Sequence, residues 1–375
     1  MNHSPSSSSS SDFSASPRPL TAYGWDDGWQ AEFAPHAERG LVPGRVVRVD
    51  RGLCDVLTAE GTVRADTEFV VPRDPMKVVC TGDWAAVDAA GDPRYVRALL
   101  PRRTAVVRST SSQRSEGQVL AANVDHAVLA VSLAAELDLG RLERFLALAW
   151  ESGAQPMVVL TKADLVPDPV TLAHLVSDVE TAAPGVQVLT VSSTAGEGLD
   201  VLGAVLASGT SVLLGQSGAG KSTLANALLG ERAQDVREVR DSDGKGRHTT
   251  TTRDLLPLPS GGVLIDTPGV RGVGLWDAGE GVAQAFSEIE ALAEECRFHD
   301  CAHQAEPGCA VLAAIEDGTL PERRLDSYRK LLRENQRLAA RTDERLRAEL
   351  RRTFKQRQAL GRHMMERKRG PMRKP

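Results

Sequence analysis

One glycine-rich loop limits the folds open to this chain more than any other feature of its sequence. Residues 215–222 read Gly-Gln-Ser-Gly-Ala-Gly-Lys-Ser and match the phosphate-loop pattern G-x-x-x-x-G-K-[ST] at every defined position. An apolar run, residues 212–214, precedes the loop, and a helix-forming run, residues 222–229, follows it. Strand, loop and helix in this order aim backbone N–H groups and the positive end of a helix dipole at a phosphate. The sequence therefore predicts a nucleotide site in an α/β fold.

Residues for the phosphates and for magnesium come from this loop and from a second strand end. Lys221 is expected to bridge the β- and γ-phosphates, and Ser222 to ligate Mg²⁺. Asp266 ends the apolar run 263–265 and begins the sequence Asp-Thr-Pro-Gly. We expect Asp266 to hold Mg²⁺ through water and the N–H of Gly269 to reach the γ-phosphate.

A polar, glycine-containing segment, residues 244–253, lies between these two motifs and has the character of a switch. Thr249 or Thr250 offers the hydroxyl that senses Mg²⁺ and the γ-phosphate; we assign Thr250, although one sequence does not distinguish the two. Val270 stands where many GTPases carry a water-orienting glutamine. His248 is the candidate that replaces it, and the alternative for this histidine is a solvent-facing loop position.

A base-reading tetrad, Thr161-Lys162-Ala163-Asp164, precedes the phosphate loop in the sequence. A carboxylate accepts two hydrogen bonds from guanine N1–H and the 2-amino group, a pair that adenine does not present. Ser192 and Ser193 begin a loop that fits behind the base. In ordinary GTPases the tetrad follows the phosphate loop, so this order predicts a circularly permuted domain that binds GTP and GDP. The candidate nucleotide-binding residues are Thr161, Lys162, Ala163, Asp164, Ser192, Ser193, Gly215, Gln216, Ser217, Gly218, Ala219, Gly220, Lys221, Ser222, Thr223, Asp266 and Gly269.

Short strands separated by turns fill the region before this domain. Residues 44–50, 53–59, 62–66, 84–88 and 94–100 carry β-branched residues between Gly, Asp and Pro. Five such strands in under 70 residues indicate a small barrel of the OB type. Its arginines are either phosphate contacts for RNA or ordinary solvent-facing residues, and both interpretations stay open for Arg45, Arg48, Arg51, Arg64 and Arg97.

A cluster of metal-binding residue types follows the nucleotide motifs. Cys296, Cys301, His303 and Cys309 read C-x4-C-x-H-x5-C. Three thiolates and one imidazole form a closed tetrahedral set, which is typical of one structural Zn²⁺. Cys54 and Cys80 stand alone in apolar runs and are expected to be core residues.

Charge and composition bound the partners and the compartment. The formal net charge is −5, yet residues 345–375 carry +10, which leaves −15 on the rest and favours a nucleic-acid partner for the tail. No segment has the apolar length of a membrane span. The Ser-rich start lacks a basic and an apolar region, so it is not a secretory signal, and we expect residues 1–35 to be disordered. Five cysteines without such a signal indicate a reducing cytoplasm. We expect the protein to be a monomer in the cytoplasm, without a membrane partner.

Together these motifs resemble the ribosome small-subunit-dependent GTPase family, the RsgA/YjeQ group. The resemblance covers roughly residues 40–355. It is carried by Asp83-Trp84, residues 118–125, Gly246-Arg247-His248-Thr249-Thr250-Thr251, the Asp266–Gly269 motif, the permuted order, and Glu306-Pro307-Gly308-Cys309 after the metal cluster. Thr161 departs from the family, which usually has Asn there; this change is expected to weaken GTP affinity without changing the base.

The resemblance implies an α/β P-loop GTPase core, circularly permuted with a mainly parallel sheet, between an N-terminal OB-type β-barrel and a C-terminal helical zinc-binding domain. We place the barrel at 36–103, the GTPase domain at 104–280, the zinc domain at 281–358 and a basic tail at 359–375. The resemblance implies a late assembly factor of the small ribosomal subunit that binds its rRNA, with hydrolysis stimulated by the subunit and followed by release. It also implies that His248 is catalytic.

Two other functions stay open. One is a permuted GTPase with another ribosomal target, and the other is a non-catalytic, nucleotide-gated RNA-binding scaffold. Permutation also places the Asp266–Gly269 motif at the end of the core, with Cys296 27 residues after Gly269. We therefore expect a short covalent route from the switch to the zinc domain.

Overall fold

A computed structural model of the chain describes residues 20–71, 74–109, 117–230, 253–266, 275–276 and 278–342. The described chain begins with a 3-10 turn, Leu20–Tyr23, and helix α1, Asp27–Ala37. The Asp26 carboxylate caps α1 by accepting the N–H of Trp29 at 2.8 Å. Trp29 and Phe33 of this helix are buried. The prediction of disorder up to residue 35 is therefore wrong for residues 20–35; residues 1–19 lie outside the described residues.

A closed five-stranded barrel follows α1, as the sequence predicts. Its strands are β1 (Val42–Val49), β2 (Leu53–Thr58), β3 (Gly61–Asp66), β4 (Trp84–Asp88) and β5 (Arg94–Leu99). They close in the order β1-β2-β3-β5-β4, with β4 antiparallel to β1. This order is that of an OB-type Greek-key barrel. The inward side chains of the strands form a separate apolar core.

A two-stranded hairpin that the sequence analysis missed, β6 (Ala105–Ser109) and β7 (Gly117–Ala122), joins the barrel to a six-stranded sheet. The sheet contains β8 (His126–Ser132), β9 (Gln155–Thr161), β10 (Gln187–Val191), β11 (Thr210–Gly215), β12 (Asp254–Pro257) and β13 (Val263–Asp266). Its order is β10-β9-β8-β11-β13-β12, and all neighbours are parallel except β12 and β13. The mainly parallel core is therefore confirmed, with one antiparallel edge strand that was not predicted.

Helices cover both faces of this sheet. They are α2 (Leu139–Glu151), α3 (Pro169–Ala182), α4 (Leu199–Val205) and α5 (Lys221–Leu229). Along β9, Met157 and Val159 pack with α4 and α5, whereas Val158 and Leu160 pack with α2 and α3. Burial on both faces explains why the strands read as continuous apolar runs.

The described part of the C-terminal region, up to Thr342, contains four helices: α6 (Gly279–Ala285), α7 (Ser287–Glu294), α8 (Ala310–Glu316) and α9 (Glu322–Thr342). Helices α6 and α7 are separated at Phe286, whose backbone leaves the helical region at φ −124°, ψ 38° and whose ring is buried. Helix α9 is the longest of the four. No helix in the described part of the chain is both long and apolar enough to cross a membrane.

A buried ion network fixes α9 to helices α2 and α7. Arg324 of α9 donates to Glu143 of α2 at 2.8 Å and also bonds Glu288 of α7. The side chains of Arg324 and Glu143 are 1% and 0% exposed. Between the same two helices, α2 and α9, the guanidinium of Arg144 donates two hydrogen bonds to the carboxylate of Glu334, each 2.6 Å long. The C-terminal helices and the GTPase sheet thus share one packed interface.

Candidate functional site: a guanine-nucleotide pocket and a metal cluster

The phosphate loop joins the buried strand β11 to helix α5, as predicted. Gly215 lies in a positive-φ conformation (φ 144°), and a Cβ there would stand 2.4 Å from the carbonyl oxygen of Ala130. Lys221 begins the helix and donates to the carbonyl oxygens of Gly215 and Gln216, both at 2.8 Å. Burial lowers the pKa of Lys221, and the carboxylate of Asp266 opposes this effect. The ammonium is thus held over the loop and within the field of Asp266.

The base-reading tetrad is tied directly to this loop. Thr161 ends β9, and its hydroxyl donates to the carbonyl oxygen of Ala219 at 2.7 Å. Lys162 adopts a left-handed backbone (φ 60°), and its ammonium donates to the carbonyl oxygen of Gly218 at 2.9 Å. The two motifs are 58 residues apart between Thr161 and Ala219, yet two hydrogen bonds set their relative position. The permuted order therefore produces one shared site.

A second loop orients the carboxylate of Asp164. The hydroxyl of Ser192 donates to Asp164 Oδ1 at 2.6 Å. Ser192 is itself buried and held by the backbone N–H of Ala195, which donates to its Oγ at 3.1 Å. Ser193 follows it in the loop after β10. The serine loop thus approaches the tetrad from the next strand, β10; its position behind a bound base stays a prediction.

The predicted magnesium residues stand on neighbouring elements where the structure describes them. Ser222 and Thr223 lie in the first turn of α5, and Asp266 ends β13, which pairs in parallel with β11. A serine hydroxyl and a carboxylate oxygen are hard ligands of the kind that Mg²⁺ takes. His248, Thr250 and Gly269 lie outside the described residues.

Four of the five barrel arginines, Arg45, Arg48, Arg64 and Arg97, have partners within the protein. Arg45 is 1% exposed and donates to the carbonyl oxygen of Asn123 and the hydroxyl of Thr210. Burial lowers the pKa of Arg45 to about 10, and the Coulombic fields of Asp125 and Asp83 oppose this. The interpretation of Arg45 as a phosphate contact is therefore wrong, because the residue joins the barrel to the GTPase sheet.

Two more of the five arginines, Arg64 and Arg97, are paired with acids of the barrel itself. Arg64 bonds Asp55 at 2.8 Å and Asp50 at 2.6 Å, and Arg97 bonds Asp88 at 3.0 Å. Asn123 belongs to segment 118–125, one of the segments that carry the family resemblance. Its side chain donates to the carbonyl oxygen of Gly82 and accepts the N–H of Arg103. That segment was the signal that could have located the junction between the two domains.

The four predicted metal ligands come together in the C-terminal region. Their ligand atoms all lie within 4.8 Å of one another. Cys296 Sγ stands 3.8 Å from Cys309 Sγ, and His303 Nδ1 stands 3.6 and 3.4 Å from these two sulfurs. A tetrahedral Zn²⁺ with ordinary bond lengths needs S···S and S···N edges of about 3.8 and about 3.6 Å. The donor set therefore fits zinc, with His303 presenting Nδ1.

Comparison with known proteins agrees with the motif order. Residues 99–276 match the family model described as RsgA GTPase. A protein of Streptomyces coelicolor named small ribosomal subunit biogenesis GTPase RsgA is 74% identical over 368 residues, which are 98% of this chain and 100% of that protein. A protein of the same name from Methanosarcina acetivorans is 42% identical over 312 residues, 82% of this chain and 83% of its own.

Solved structures show the same fold. YjeQ from Thermotoga maritima and YloQ, described as a circularly permuted GTPase, are each 25% identical, with TM-scores of 0.58. Each match covers 79% of this chain, and 98% and 95% of those two chains. The inverted order of the tetrad and the phosphate loop, the single site that they build and the similarity along almost the whole sequence lead to one conclusion: the chain belongs to the RsgA family of circularly permuted GTPases.

Proposed function

We propose that this GTPase is a late assembly factor of the small ribosomal subunit. In this proposal the GTP-bound protein binds the subunit and its rRNA in the cytoplasm, the subunit stimulates hydrolysis, and hydrolysis drives release. The observation that carries the proposal is the length of the similarity. It extends over 98% of the chain, to relatives named for small-subunit biogenesis, and so includes the barrel and the metal cluster as well as the core.

Recognition of the base is assigned to Asp164. Its carboxylate accepts guanine N1–H and the 2-amino group, while Ser192 fixes its orientation through the 2.6 Å hydrogen bond. The stem of Lys162 lies along the base, and Ser193 backs it. The hydroxyl of Thr161 does the positioning work expected of the usual asparagine, because it links the tetrad to the phosphate loop.

The phosphates are assigned to residues 215–223, whose backbone N–H groups converge at the start of α5. Lys221 neutralises the charge of the β- and γ-phosphates. Ser222, Thr250 and Asp266 would hold Mg²⁺, which supplies positive charge between the β- and γ-phosphate oxygens. Gly269 reaches the γ-phosphate by its N–H in this assignment.

His248 is proposed to orient the attacking water, because Val270 stands where many GTPases have a glutamine. Hydrolysis by the isolated protein is then slow, since no glutamine directly follows the Asp266–Gly269 motif. In this proposal the small subunit aids the step in which water is positioned, and so raises the rate.

The C-terminal region is proposed to hold one structural Zn²⁺ on Cys296, Cys301, His303 and Cys309. Four protein ligands leave no open position for chemistry, so the metal would contribute folding energy and not catalysis. The carboxylate of Glu306 accepts the N–H groups of Ala302, Gln304 and Ala305, at 2.6–3.2 Å, and so shapes the loop between His303 and Cys309.

Contact with rRNA phosphates is assigned mainly to the basic segment 345–375, which carries 12 Lys and Arg against two Glu. Arg64 and Arg97 of the barrel are less suited to contact phosphates, since their charges are already neutralised by Asp50, Asp55 and Asp88.

Co-sedimentation tests the proposal. Full-length protein loaded with a non-hydrolysable GTP analogue, or with GDP, is centrifuged with purified small or large subunits. We expect the analogue-loaded protein to pellet with small subunits and the GDP-loaded protein to stay in solution. Removal of residues 345–375 is expected to weaken binding and to reduce its salt dependence. Equal pelleting with both subunits, or none with either, would contradict the proposal.

A further inference from the structure

Two arginines of barrel strand β1 reach the GTPase sheet, although their spacing forbids it in a regular strand. Side chains alternate between the faces of a strand, so Arg45 and Arg48, three residues apart, are expected on opposite faces. The pairing of β1 with β2 shifts register between Val46 and Arg48. Such a bulge re-aims the side chains that follow it. Arg45 thereby contacts Thr210 at the start of β11, and Arg48 contacts Asp254 at the start of β12.

The Arg48 contact is partly withdrawn from water. Arg48 Nε lies 3.2 Å from Asp254 Oδ1, and the two side chains are 21% and 11% exposed. A second contact stands beside it: the hydroxyl of the buried Thr81 donates to the carbonyl oxygen of Arg253 at 2.9 Å. Two neighbouring residues of the GTPase domain are therefore held by two separate parts of the barrel.

Strand β12, which begins with Asp254, is an edge strand of the sheet. β12 pairs only with β13 among the described strands of this sheet, and Asp254 stands opposite Asp266 in their register. An edge strand of four residues has few backbone hydrogen bonds to fix it. The contacts of the barrel with Arg253 and Asp254 help to fix β12. In the sequence, the switch-like residues 244–252 immediately precede Arg253.

We propose that Arg48 is a positioning residue for GTP hydrolysis. Its ion pair with Asp254 fixes β12, and through the β12–β13 register it fixes Asp266, which our assignment places at the magnesium site. The inference rests on the proposed role of Asp266 and not on the ribosomal part of the proposed function. It also changes the role of Arg48 from an RNA-phosphate contact to an internal one.

Hydrolysis by the full-length protein without ribosomes tests this inference. The variants are Arg48→Ala, Asp254→Asn and the charge exchange Arg48→Asp with Asp254→Arg. Each single variant is expected to lower kcat about tenfold and to raise the Mg²⁺ concentration needed for half-maximal rate, while the Kd for GDP measured without Mg²⁺ stays the same. The exchange is expected to restore most of the kcat. A merely structural role would not divide the parameters in this way.

Arg64→Ala is the matched control. Arg64 is also an arginine of a barrel strand that pairs with acids, but its partners, Asp50 and Asp55, belong to the barrel itself. Its kcat is expected to equal that of the wild type. Arg48→Lys keeps the charge and takes the place of Arg48→Ala if that variant does not fold; an intermediate kcat is expected.

Three results would overturn the inference. The first is a wild-type kcat in both single variants. The second is an exchange variant no better than the single variants. The third is a wild-type kcat in Arg48→Ala together with weakened binding to small subunits, which would make Arg48 an RNA contact. Because the kinetic assay contains no ribosomes, its failure leaves the proposed assembly role standing, and failure of the co-sedimentation leaves this inference standing.

Discussion

The hydroxyl of Thr161 links the base-reading tetrad to the phosphate loop, and its loss has a calculable effect. The hydroxyl donates to the carbonyl oxygen of Ala219 at 2.7 Å, and both residues are buried. Valine has the same shape without the donor, so Thr161→Val leaves this carbonyl without its hydroxyl partner. Removing one partner of a buried hydrogen bond costs about 1–3 kcal/mol. If nucleotide binding has to bring the tetrad and the phosphate loop back to their wild-type positions, this cost raises the Kd for the nucleotide by about 5- to 150-fold.

We expect Thr161→Val to raise the Kd for GDP about tenfold, because part of the cost falls on the free protein as well. Titration with a fluorescent GDP measures this. Thr161→Ser keeps the hydroxyl and is expected to bind like the wild type, and Thr161→Asn restores the family's usual residue and is expected to bind at least as tightly. Unfolding midpoints of all variants are the control for stability. A wild-type Kd in Thr161→Val, or an equal loss in Thr161→Ser, would refute the link.

Two further predictions concern stability and the metal. Arg324→Leu leaves the fully buried Glu143 without its main partner and is expected to lower the free energy of unfolding by about 3–5 kcal/mol. The control is Arg323→Ala, which removes a 40% exposed side chain and is expected to lower it by under about 1 kcal/mol. Equal urea midpoints of the two variants would contradict this. Burial raises the pKa of Cys54 and Cys80 to about 12, so at pH 8 both are protonated and unreactive toward a maleimide. Mass spectrometry is expected to find no adduct on the zinc-loaded protein and three after chelation, all in the metal cluster; an adduct on Cys54 or Cys80 of the folded protein would count against it.

Much of the fold was predictable because its signals are local. The barrel strands were predicted nearly to their ends, since turn residues bound each β-branched run. The strands before the phosphate loop and before Asp266 were predicted because each is an apolar run that ends in a motif. Helix α1 was missed because the Ser-rich composition of the first residues was extended over Trp25, Trp29 and Phe33. These rings pack near Trp84, with the centroids of Trp25 and Trp84 4.8 Å apart, and that partner lies about 60 residues away.

The features that could not be predicted depend on partners that are distant in sequence. Strand β12 has four residues and ends in Pro257, so nothing local distinguishes it from a loop; β13 and the barrel make it a strand. The roles of Arg45 and Arg48 follow from a bulge whose position the sequence does not reveal. The link from Thr161 to Ala219 likewise required the sheet to bring two motifs together.

The permuted order leaves a short covalent connection between the Asp266–Gly269 motif and Cys296. Two residues of this connection, Ala278 and Gly281, are hydrogen-bonded to other elements of the structure. Ala278 is 0% exposed, and its N–H donates to Oδ1 of Asn335 in α9 at 3.0 Å. The N–H of Gly281 donates to Glu151 of α2 at 2.8 Å. Strand β12 is thus held by the barrel, and the start of α6 by α2 and α9.

The most direct measurement of the central claim is the rate of GTP hydrolysis by the full-length protein alone, with purified small subunits and with purified large subunits. Our account predicts slow hydrolysis by the protein alone, a rise in kcat of at least about tenfold with small subunits, and no rise with large subunits. His248→Ala is expected to lose the stimulation while keeping its affinity for GDP. An equal rate in all three mixtures, or stimulation by large subunits alone, would contradict the account.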